Sequence, residues 1–143
     1  MNKNNHHSSG VTDVIAGLIE KGIDSVVGLF LPKPGFSVFK AGEISQRWDE
    51  IERLENKLAV IEADKLVDAV LKKANVVGAT MADRLRKTES LVDRSVYQGM
   101  WDAHKLRNSV VHDVDHMVSQ NEIESALIKV KKYLIALKAF KNE

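Results

Sequence analysis

The sequence predicts an all-α fold, a bundle of four to five helices preceded by one further amphipathic helix. Three observations carry that expectation. Apolar residues recur at three- and four-residue steps through most of the chain. Helix-start signatures of the form Ser/Thr-x-x-Asp/Glu stand between those stretches, at Thr80, Ser90 and Ser119. No run alternates apolar with polar residues as a half-buried strand would. At 143 residues the chain suits one domain, and folding at that size removes about two-thirds of the unfolded surface from water.

Composition narrows the function classes. The chain has no cysteine, which excludes thiolate catalysis, disulfide frameworks and Cys-ligated zinc, and fits a reducing compartment. The formal net charge is +1, so no overall field draws the protein onto nucleic acid or an anionic membrane. A nucleic-acid role therefore needs a local basic patch.

Residues 1–10 read as a polar tail in which Lys3 is the only Lys or Arg, and its His6-His7 pair makes a poor metal site. Residues 11–31 place Val11, Val14, Ile15, Leu18, Ile19, Ile23, Val26, Val27 and Phe30 on one helical stripe. Gly17, Gly22 and Gly28 weaken such a helix, each by up to about 1 kcal/mol relative to Ala. Its stripe is expected to dock on its own domain or on a second subunit. Attachment to a membrane surface is the lesser alternative, because the polar face lacks the usual Lys/Arg and Trp. Asp13, Glu20, Lys21 and Asp24 interrupt the segment. The uncharged run Ser25–Leu31 falls far short of the roughly 20 residues that span a bilayer. No secretory signal is recognisable, and the expected location is the cytoplasm.

Pro32, Pro34 and Gly35 stop that helix and open a linker over residues 32–43, whose Phe36, Val38 and Phe39 suggest that it packs down. The main helical domain is placed at residues 44–141. Ile44 to about Asn75 has neither Pro nor Gly and reads as one long helix. On its wheel Ile44, Trp48, Ile51, Leu58, Leu66 and Ala69 share one side, and Val60, Val67 and Leu71 the other, so it should be sandwiched between neighbours. Glu62 falls at the middle of the first face, where a carboxylate needs a partner. Gly78 breaks the chain, and Thr80–Asp83 starts a short helix to about Glu89. Ser90–Asp93 opens the next helix, and Ser119–Glu122 opens the last, whose stripe is Ile123, Leu127, Val130, Leu134, Leu137 and Ala139. Its lysines read as a solvated face.

The chemistry concentrates in Trp101–Asp113. Val96, Met100, Ala103, Val110 and Val114 share a face with Arg107 at its centre, and Trp101, His104, Asn108 and His112 line the adjoining flank. An arginine among core positions is costly unless a carboxylate satisfies it. The equally misplaced Glu62 is the expected partner. On the residues alone, a buried ion pair that fixes helix register is the simpler reading. His104 and His112 would need a third ligand such as Asp113 or His116 to hold zinc, so no metal site and no cofactor is expected. Arg84, Arg86, Lys87, Arg94 and Lys105 could form an RNA-facing patch. Interleaved with Asp83, Glu89, Asp93 and Asp102, they suit a mixed solvated surface better.

The run Arg107-Asn108-Ser109-Val110-Val111-His112 resembles the motif of the HEPN superfamily, an Arg, a polar residue and a His a few positions on, carried by a late helix of a helical bundle. Ala59–Leu66 together with Trp101–Asn108 is similar to uncharacterised bacterial proteins of this type. The resemblance covers roughly residues 44–140. It implies metal-independent RNA cleavage by a homodimer, of the toxin or defence kind, with Arg107, Asn108 and His112 as the reacting set and Glu62 and His104 in support. RNA, and a protein partner or antitoxin, would then be the interacting molecules. It equally admits a non-catalytic RNA-binding or assembly module in which Arg107 and His112 are structural. Imidazole suits proton transfer near neutral pH, and guanidinium binds phosphate bidentately. Five helical residues rotate by about 140° and rise about 7.5 Å, so Arg107 and His112 diverge on one chain. One chain alone makes a poor phosphate site, and two copies across a twofold axis could build one cleft.

Overall fold

A computed structural model describes residues 34–113, 115 and 117–140. The polar tail and the amphipathic helix expected over residues 1–31 lie outside the described residues, as do Val114 and His116. From Pro34 onward the chain forms one compact unit, and it is all-α. Its helices are α1 (Glu43–Glu52), α2 (Asn56–Lys73), α3 (Met81–Arg86), α4 (Arg94–His112) and α5 (Gln120–Ala136), with short 3-10 turns at Phe36–Val38 and Glu89–Leu91. No strand occurs among the described residues.

Helix α2 is the axis of the bundle. It packs against α1, α3, α4 and α5, and α4 and α5 also pack on each other. That position accounts for its composition, since Ala59, Val60, Ala63, Leu66, Val67, Val70 and Leu71 are all buried. A helix apolar on most of its circumference is a core helix. Trp48 of α1, Leu85 of α3, Met100 of α4 and Val130, Tyr133 and Leu134 of α5 close the core around it. Inside that core the Thr88 hydroxyl donates to the Leu85 carbonyl (2.7 Å) and receives the Tyr133 hydroxyl (2.5 Å). Burial raises the Tyr133 pKa against the opposing effect of that bond.

The stretch before α1 packs down in part. Phe39 is buried in the core, the Gly35 amide donates to the Ala74 carbonyl (2.9 Å), and Val38 remains exposed.

The long helix expected from Ile44 to Asn75 is two helices. The chain turns at Arg53–Glu55 and re-enters helix at Asn56, whose φ is 54°. Asn is among the few non-glycine residues that take this left-handed conformation readily. The break shifts the rotational phase, so Leu58 is 48% exposed rather than part of the core. Two of the three start signatures are capping boxes, with Thr80 bonded reciprocally to Asp83 and Ser119 to Glu122. The third is not. Ser90 lies in a 3-10 turn, and α4 starts after Asp93, which supplies no side-chain cap.

Candidate functional site

Helix α4 packs against both α2 and α5, and its buried residues are Tyr97, Met100, Ala103, His104 and Val110. His104 is therefore inside, and faces Asp64, which α2 carries on the same stripe as Val60, Val67 and Leu71. The imidazole Nδ1 lies 2.9 Å from Asp64 Oδ1. Its Nε2 lies 3.3 Å from Asn108 Nδ2, one helical turn on. Arg107 Nη1 donates to Asn108 Oδ1 at 3.1 Å. Arg107 Nε stands 3.5 Å from Asp64 Oδ2, which is an ion-pair contact but too long for a good hydrogen bond. Four side chains thus close a ring: Asp64, His104, Asn108, Arg107. Trp101 packs edge-on against His104 with ring centroids 5.8 Å apart, and the Arg86 guanidinium lies over the indole at 5.7 Å from its centroid.

The predicted pairing of Arg107 with Glu62 is wrong. Glu62 binds Lys65 (2.7 Å) at the surface, and the carboxylate beside Arg107 is Asp64. The break before α2 ends the face extrapolated from Ile44, Trp48 and Ile51, which leaves Glu62 outside the core, while Asp64 lies on the buried side with Val60, Val67 and Leu71. Asp64 is thus the residue that the sequence reading missed. Its signal was present, because it stands at three- and four-residue steps between Val60 and Val67.

Arg107 is neither sealed nor free. Its side chain is 26% exposed, and it lines a cleft of ≈ 340 Å³ between α2 and α4, together with Asp64, Lys65, Asp68, Lys72 and His104. Its Nε is buried and makes no hydrogen bond among the described residues, only the ion-pair contact with Asp64. His112, five residues on, is exposed at the last turn of α4. Hydrogen bonds thus join Arg107, Asn108 and His104, and among the described residues none joins His112 or Glu62 to them.

The suggested basic patch is not a unit. Arg84 is buried, bonded through Nε and Nη2 to Asp68 (2.8 and 2.7 Å) and through Nη1 to the Gly78 carbonyl. Arg86 is paired with Asp83 at 2.9 Å. Burial works against the charged form of Asp68, but hydrogen bonds from Lys72 and Arg84 outweigh it and hold the carboxyl below its ordinary range. Among the described residues no group of three His, Asp or Glu side chains is placed to hold a metal ion, and no helix is long and apolar enough to cross a membrane. Comparison of the chain with protein-family models, with curated proteins and with solved structures returned no match.

Proposed function

We propose that this chain is a HEPN-like domain acting as a homodimer in metal-independent cleavage of RNA, with Arg107 as phosphate ligand and His112 as proton-transfer group. One observation carries the reading. Arg107 is oriented from two sides, by Asp64 and Asn108, yet lines an open cleft and makes a single hydrogen bond among the described residues. A guanidinium held this way keeps N–H donors for an anion, and its orientation costs nothing at the moment of binding. In the reaction the ribose 2′-oxygen bonds to phosphorus as the bond to the 5′-oxygen breaks. One imidazole removes the 2′-hydroxyl proton, and the departing oxygen takes up a proton. The separation of Arg107 from the exposed His112 along α4 makes the second copy part of the site.

The second reading is an assembly protein in which these residues serve register, and the buried Asp64–His104 pair favours it. The test is incubation of the purified chain with mixed RNA in EDTA beside His112→Ala. Cleavage by the native chain and its loss in the variant support the nuclease. Intact RNA in both, with both proteins folded, leaves the assembly reading.

A further inference from the structure

We propose that Asp64, His104 and Asn108 are positioning residues that hold Arg107 through a ring of fixed hydrogen-bond direction. The proposal deepens the reading of Arg107 as a phosphate ligand by naming what fixes its orientation. It rests on that reading only for its consequence on RNA.

The direction of every bond in the ring follows from the chemistry of its members. Arginine donates and never accepts, so the atom of Asn108 facing Arg107 Nη1 at 3.1 Å is the carbonyl oxygen. The amide nitrogen of Asn108 then faces His104 Nε2 at 3.3 Å and donates to it. An imidazole nitrogen that accepts carries no proton, so the proton of the neutral ring sits on Nδ1 and is donated to Asp64 Oδ1 at 2.9 Å. One tautomer of His104 and one orientation of Asn108 satisfy the whole set.

Asn108 as it stands serves both neighbours at once, its oxygen accepting from Arg107 and its nitrogen donating to His104. Turned about its amide, it would set its nitrogen against Arg107 Nη1, donor against donor.

The experiment is imidazole and guanidinium nitrogen NMR on the full chain. The neutral imidazole of His104 should be the Nδ1–H tautomer, and Arg107 should give separate Nη1 and Nη2 signals because one amine is tied. In Asn108→Ala those two signals should merge. An Nε2–H tautomer overturns the ring, and so does an Arg107 pattern in Asn108→Ala that matches the native chain's. A failed ribonuclease assay would remove the RNA consequence while leaving the NMR result intact, so the two failures are distinguishable.

Discussion

At the scale of single residues, Arg107 and Asp64 decide the character of the site. Removing the carboxylate leaves a guanidinium and an imidazole without their shared partner in a largely buried place. Breaking such a pair costs about 3–5 kcal/mol when both members are fully buried. With Arg107 partly exposed, Asp64→Ala should lose about 2–3 kcal/mol of unfolding free energy in urea. Glu62→Ala should change it by less than about 0.5 kcal/mol, because an exposed i,i+3 pair with Lys65 contributes little. Equal losses in the two variants would contradict the assignment of Asp64. The same residues show what was legible from sequence. Arg107, Asn108 and His104 stand out as polar groups on an apolar helix before any coordinates. Their carboxylate partner was marked too, by its place between Val60 and Val67, but which of two misplaced carboxylates meets Arg107 depends on which side of α2 faces α4.

Among the helices, two starts were readable from local rules, and the break between α1 and α2 was not. Thr80 and Ser119 announce their helices through side chains that bond the backbone three residues on, a rule local enough to survive folding. The ends of α2 and α5 rest instead on Asn75 (φ 61°) and Lys138 (φ 59°) in left-handed backbone. At each end two amides reach back: Asn75 to Lys72 and Val76 to Leu71, Lys138 to Ile135 and Ala139 to Leu134. Glycine normally marks this motif, and no glycine stands there. Lys138→Gly should therefore stabilise the fold by roughly 0.5–1 kcal/mol by relieving the left-handed strain of a side-chain-bearing residue. A lower Tm in that variant would contradict the cap.

Before α3, a Cβ on Gly78 would stand 2.7 Å from the Arg84 amide nitrogen and 2.9 Å from Asp83 Cβ. Gly78→Ala should destabilise by roughly 1–3 kcal/mol through that overpacking. Asp68, which ties α2 to α3 through Arg84, gives the pH dependence. Its folded pKa is depressed, so the unfolded chain binds the proton more readily. The stability it contributes is complete above the ordinary carboxylate range and falls as acid takes the pH below about 4. Asp68→Asn should flatten that part of the acid unfolding curve, which circular dichroism against pH would record.

For the molecule as a whole, a bundle wound around α2 holds the ring between α2 and α4 while the Arg107–His112 pair is split along one helix. A helix cannot turn both residues toward one phosphate, so the proposed chemistry requires a second copy, and sedimentation should show a dimer. The most direct measurement mixes two inactive proteins: Arg107→Ala and His112→Ala subunits, co-refolded and assayed on RNA in EDTA beside each parent alone. The expected result is two inert parents and a mixture that cleaves, because a mixed dimer retains one arginine and one histidine across its axis. A mixture as inert as its parents, from a native chain that does cleave, would contradict the shared site.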